Sequence, residues 1–219
     1  MILEPDSNQM QGYMEARRLV AARLSGMDPL QTARNAGCIY DDTVHAILLR
    51  YLGADYRVGC SGCDIKRVSD GAPPSLPAQV LMLHYLLHAG ARVNRTPSGR
   101  LISFREVRGG GANYWPAFEK RAVKPLLKAF GAHPEALVHA GSALGGAVSA
   151  YGDASTVITL FPLLPVTYVL YRGDEEMPGA ASILFDDTVN ALLPCEDIVL
   201  AASFGVYELI RLAGSVNRR

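Results

Sequence analysis

The longest apolar stretch of the chain, Val157 to Leu170, is cut by Pro162 and Pro165. Proline donates no backbone N–H and clashes inside a helix, so the stretch cannot be one helix. A membrane helix needs about 20 uninterrupted apolar residues, and this run is too short and too broken to supply them. What remains is two short runs rich in β-branched and aromatic residues. They are Thr156 to Phe161 and Val166 to Tyr171, joined by Leu163-Leu164-Pro165, and both read as strands.

The N-terminal region has a different period. Tyr13, Met14, Arg17, Leu19, Val20 and Leu24 recur at near-helical spacing before Gly26, which predicts an amphipathic helix over Met10 to Leu24. Asp28-Pro29 predicts a second helix start, with Asp as the capping residue and Pro at the first helical position. That helix is expected to run to about Ala36 and stop at Gly37. HAILLRYL and YRV, separated by Gly53-Ala54, then read as a hairpin, and IKRV as a further strand. Leu76, Val80, Leu83 and Leu87 place a helix over Leu76 to Ala89, with Gly90 as its stop.

Arg100 to Val107 reads as a short strand, and a helix follows the three glycines, from about Asn113 to Phe130. Further helices are expected over Pro134 to Leu144, from Asp186, and from Glu196. Strands early, helices in the middle and strands late indicate an α+β fold with a mainly antiparallel sheet and several packed helices. The expected organisation is one globular domain over residues 1–219. The Pro-rich link Gly71 to Pro77 is where a boundary between subdomains would fall.

Apolar residues make up 49% of the 219 and charged residues 19%, a globular composition. Lys plus Arg number 21, as do Asp plus Glu. That balance gives no electrostatic reason to expect nucleic acid or an anionic membrane as partner. MILEPDSNQM lacks a basic segment followed by an apolar one, so it is not read as a secretion signal. Four cysteines in such a chain fit reduced thiols, and the expected compartment is the cytoplasm.

Several runs in order resemble one family. They are LHYLLHAG at 83–90, LISFREVRGGG at 101–111, FEKRAVKPLLKAFG at 118–131, FPLLP at 161–165, GDEEMP at 173–178, ILFD at 183–186 and LPCED at 193–197. Together they resemble the domain of unknown function 3786 family, over most of the chain after about residue 20. Met177 stands where that family's GDEE element is expected to carry an aromatic residue. The resemblance implies an anaerobic setting, near carbon monoxide dehydrogenase and corrinoid methyl-transfer systems. It implies no catalytic residues, and the cysteine-rich iron–sulfur segment of some relatives has no counterpart here.

Four places carry chemistry. Cys60-Ser61-Gly62-Cys63 sets two thiols two residues apart, a spacing that serves a metal ion or a redox disulfide, or simply a tight turn. With the turn at Gly53-Ala54, Cys60 is expected opposite Ile47 and Cys63 opposite Val44. His84 and His88, four apart, share a helix face and suit zinc or an axial bond to a tetrapyrrole such as haem. Tyr85 stands where a metalloprotease needs Glu, and the bland alternative is two boundary residues of an amphipathic helix. Arg105, Arg108 and Gly109, Gly110 and Gly111 lead into a helix N-terminus, where backbone N–H groups and guanidinium groups can hold an anion. No Lys-Ser/Thr follows, so this is no nucleotide phosphate loop.

The fourth place is the acidic segment, Asp174, Glu175, Glu176, Asp186 and Asp187. It suits a divalent cation or acid–base work, yet most of these carboxylates also fit a turn or helix-capping role. No nucleophile elbow is present, since Ser142 in GSALG sits one place too early.

These readings favour a binding or accessory protein for an anionic cofactor, corrinoid or similar, or for a partner enzyme in anaerobic one-carbon metabolism. The proposed contacts are Arg105, Arg108, Gly109 to Gly111 and His84. Two alternatives are a metal-dependent enzyme using 174–187 with His84 or His88, and a redox or metal-carrier role through Cys60 and Cys63.

Overall fold

A computed structural model describes residues 7–92 and 96–216. The opening residues MILEPD, part of the segment read as lacking a secretion signal, lie outside the described residues. The chain divides into two compact units. The first runs to Thr96 and takes in Phe161–Leu163 and Ala191–Leu193; the second comprises Pro97–Leu160, Leu164–Asn190 and the chain from Pro194.

In the first unit, helices α1 (Ser7–Leu24) and α2 (Pro29–Asn35) pack on α3 (Leu76–Gly90). Asp28 caps α2 by accepting from Gln31 N at 2.9 Å, as the Asp-Pro pair predicts. A four-stranded antiparallel meander accompanies them: β1 (Ile39–Asp41), β2 (Ala46–Tyr51), β3 (Ala54–Gly59) and β4 (Ile65–Arg67). Alternation along β2 and β3 buries Ile47, Leu49, Tyr51, Tyr56 and Val58 and leaves Arg50 and Arg57 exposed.

The hairpin turn is Leu52-Gly53 rather than Gly53-Ala54, because Tyr51 pairs with Ala54. Both turn residues are left-handed, with φ of 46° and 76°, the geometry a two-residue hairpin requires. Leucine seldom adopts it, which is why the sequence points one residue too late.

Helix α3 is buried on eleven of its fifteen residues, so it is a core helix rather than a surface helix with one apolar face. Its Tyr85 stacks on Phe161 at 4.3 Å and 7°, donates to Ala36 O at 2.7 Å and accepts from Leu163 N. Gly90 lies inside the helix and not beyond its end. A Cβ there would come within 2.6 Å of the Thr32 side chain, so this glycine serves close packing against α2.

The second unit holds a five-stranded sheet in the order β5 (Leu101–Ser103), β9 (Ala180–Asp186), β8 (Leu164–Tyr171), β7 (Ala154–Phe161) and β6 (Ala147–Val148). The long apolar run does form two strands, β7 and β8. Its helices are α4 (Gly111–Phe118), α5 (Lys124–Phe130), α6 (Pro134–Ala143) and α8 (Cys195–Val216); α7 is the short turn Val189–Leu192. Glu119–Val123 joins α4 to α5 as a π turn. The widened turn has a cause: Pro125 cannot bond to the carbonyl four residues back and would collide with it.

The short helix expected from Asp186 begins three residues later, as α7, and Asp186 closes the unexpected strand β9. AASILFD holds too few β-branched residues to announce a strand, and pairing with β8 and β5 imposes it. The fold is α+β with antiparallel pairing, in two sheets rather than one. Among the described residues, no helix is long and apolar enough to cross a membrane.

Candidate functional site

The arginine and glycine segment is held by what precedes it. Ser103 donates through its backbone N and its hydroxyl to Glu106, at 2.8 and 2.7 Å, winding Phe104–Glu106 into a 3-10 turn. These bonds hold the Glu106 carboxyl below its ordinary value. Phe104 is fully buried and stacks on Phe118 at 4.1 Å and 8°. With Phe104 and Val107 pinned in the core, Arg105 and Arg108 emerge on the surface.

Arg105 lies over the indole of Trp115, the only tryptophan of the chain, 4.2 Å from the ring centroid. Arg108 N donates to Asn190 Oδ1 at 2.6 Å, and Asn190 donates in turn to Asp187 O. Gly109 and Gly110 are left-handed, with φ of 86° and 126°. Gly111 has no room for a side chain, because a Cβ would strike the Phe104 carbonyl. Its N–H bonds to Val107 O, whereas the N–H groups of Gly109 and Gly110 have no partner among the described residues. Tyr114, exposed in the first turn of α4, hydrogen-bonds Glu196 at the start of α8. That carboxylate pushes the tyrosine hydroxyl above its ordinary pKa.

The arrangement offers two guanidinium groups, two unpaired N–H groups and the positive end of a helix on an exposed surface rimmed by Tyr114 and Trp115. The sequence exposes the arginines and glycines; it does not expose Trp115 or Asn190 as their partners. The signal that could have found Trp115 is its place in the first turns of the helix that the glycines open.

The sequence pattern of the domain of unknown function 3786 family (DUF3786) matches residues 28–208. The chain belongs to this family. No curated protein and no solved structure matches it.

The remaining candidates of this DUF3786 chain lie on other elements. His84 lies on α3 in the first unit, and Arg105 to Gly111 in the second. His84 and His88 are half-buried neighbours, ring centroids 6.2 Å apart. In the acidic segment, Asp174 accepts from the N–H groups of Met177 and Glu176, which make it more acidic, and Glu175 and Glu176 are exposed. Asp186, 1% exposed, accepts from Ser98 N, Gly99 N, Thr188 N and the Thr188 hydroxyl. Asp187 accepts from the Ser98 hydroxyl at 2.6 Å. Asp174 and Asp186 thus shape turns. Among the described residues, no group of three or more His, Cys, Asp or Glu is placed to hold a metal ion.

All four cysteines are free thiols. Burial pushes Cys38 up to about 12 and also raises Cys60, Cys63 and Cys195. Cys60 N donates to His45 O, so Cys60 stands opposite His45 and not Ile47; the shifted hairpin turn accounts for the difference. Both Cys60 and Cys63 line a cavity of about 470 Å³ in the first unit. Its volume falls within the range of small-molecule sites, and no sequence signal announces it.

Proposed function

We propose that this DUF3786 chain is a non-catalytic binding or accessory protein that takes an anionic ligand at Arg105, Arg108 and Gly109 to Gly111. The observation that carries the reading is Arg105 held over Trp115 beside two glycines with unpaired N–H groups. A guanidinium fixed on an aromatic face loses less freedom on meeting a carboxylate or phosphate, and glycines let the ligand approach the backbone. The resemblance drawn from the sequence suggests the kind of ligand: an anionic cofactor of the corrinoid or tetrapyrrole type, or an acidic surface of a partner enzyme in anaerobic one-carbon metabolism. A cytoplasmic setting belongs to the same proposal.

The test uses the single tryptophan. Pyrophosphate titrated into the protein should change Trp115 fluorescence in a saturable way that weakens with salt. Arg105→Ala and Arg108→Ala should each reduce affinity by roughly tenfold or more, the loss of one charge-assisted hydrogen bond. Parallel titration with aquocobalamin and haem, followed by absorption, identifies the cofactor class. Full affinity in Arg108→Ala, or no response to any of the three, would remove this reading.

A further inference from the structure

Beyond the anion surface of the second unit, the first unit holds a second candidate, built on a strand register. Strands β3 and β4 pair Tyr56 with Arg67, Arg57 with Lys66 and Val58 with Ile65. The next rung is closed by Gly59 N donating to Asp64 O at 2.9 Å. One rung further, the same register sets Cys60 across from Cys63, with Ser61 and Gly62 at the tip. The two ends of a four-residue turn lie within about 7 Å of each other at Cα. A disulfide spans Cα separations of about 4.4–6.8 Å.

Three further observations fit a working pair of thiols. Both cysteines line the same cavity of about 470 Å³, together with Ser25, Met27, Thr32 and His45. Cys60 is half-buried, whereas Cys63 is 1% exposed, so one thiol is more accessible than the other. The inner one is held in place: its carbonyl accepts from Arg17 at 3.0 Å, and Arg17 is itself bonded to Gln79. Cys63 also keeps a left-handed backbone, φ 55°, a conformation that costs about 1 kcal/mol in a residue with a side chain. His45, on the opposite side of the hairpin and also lining the cavity, is left-handed as well, φ 50°.

We propose that Cys60 and Cys63 form a dithiol–disulfide couple that exchanges with low-molecular-weight disulfides entering the adjoining cavity. The Cys60 thiolate attacks one sulfur of the incoming disulfide. A Cys60–ligand mixed disulfide forms, and the first ligand thiolate leaves. The Cys63 thiolate then attacks Cys60 Sγ and expels the second ligand thiolate. Two protein thiols are oxidised, one ligand disulfide is reduced to two thiols, and the two cysteine protons end on those leaving sulfurs. Cys60 enters first because it is the more accessible, and Cys63 resolves. Burial, and then the neighbouring Cys63, raise the Cys60 thiol, so exchange quickens as pH rises and the thiolate fraction grows.

The experiment equilibrates the full chain with oxidised and reduced glutathione, blocks remaining thiols by alkylation and maps them by mass spectrometry. The expected product has lost the mass of two hydrogens in the peptide bearing Cys60 and Cys63, with Cys38 and Cys195 still alkylated, and dithiothreitol reverses it. Cys63→Ser should accumulate one glutathione on Cys60, while Cys60→Ser should stay largely unmodified; circular dichroism checks that both variants fold. Cys60 and Cys63 both remaining alkylatable in oxidised glutathione would overturn the proposal. So would a bridge from either one to Cys38 or Cys195. Equal adduct formation on Cys63 in Cys60→Ser would overturn the assigned order of attack.

Discussion

Besides the Leu52-Gly53 turn, two loops of the described chain carry consecutive left-handed residues, and they put the same local geometry to opposite uses. Gly62 and Cys63, φ 88° and 55°, close a hairpin in the first unit, and the flanking cysteines line a cavity. Gly109 and Gly110, φ 86° and 126°, open a helix in the second unit, and their neighbours Arg105 and Arg108 are exposed. Left-handed backbone decides neither outcome. The first loop is fixed by strand register on both sides of it. The second is fixed by Phe104 stacked in the core and by Gly111 packed against the Phe104 carbonyl. What a loop presents is set by how it is anchored.

That contrast breaks most sharply at the anchor. Gly111→Ala should destabilise the protein by about 3 kcal/mol, because the new methyl meets backbone that cannot turn aside. Thermal denaturation should show a fall in Tm of several degrees, and an unchanged Tm would separate the loop from this anchor.

Next in size is Asp186→Asn, expected to cost about 2 kcal/mol through weakened hydrogen bonds to a charged acceptor. Burial alone would raise this carboxyl. The Thr188 hydroxyl and the N–H groups of Ser98, Thr188 and Gly99 outweigh burial and leave it below its ordinary value. A depressed folded pKa contributes stability that is present above the unfolded value, about 3.9, and is lost as pH falls through the folded one. The gap between wild type and Asp186→Asn should therefore narrow below about pH 4, as denaturant titrations at several pH values would show.

The smallest effect sharpens the comparison itself. Gly62→Ala and Gly109→Ala meet no neighbouring atom, so each should cost only the left-handed strain, about 1 kcal/mol. Equal losses would show that the two tips are alike and that the anchors differ. A loss at either tip as large as that of Gly111→Ala would count against it.

The sequence discloses the parts whose signals are local. Asp28-Pro29 marks a cap, and Pro162 in the long apolar run falls between β7 and β8. The α+β class follows from such elements in order. Signals that depend on partners stay hidden. Leu52 takes a left-handed turn that its side chain disfavours, so the hairpin count slips and Cys60 is matched to Ile47 in place of His45. The relation of Cys60 to Cys63 comes from the register of β3 with β4. AASILFD becomes β9 only because two strands flank it. At the candidate site, the arginines and glycines stand out in the sequence, but the ring beneath Arg105 lies ten residues along and reaches it only after the chain has turned into a helix.

The π turn at Glu119–Val123 bears on how relatives of this chain can vary in length. It holds one residue more than an ordinary helical turn would, like an insertion that the helix has absorbed without breaking. Deleting one residue there would leave a continuous helix. Because the extra residue is taken up within the turn, the helix beyond would keep its face, with Leu126 and Phe130 still buried. Relatives should therefore tolerate a one-residue gap between Phe118 and Phe130 where they lack a proline at the position of Pro125.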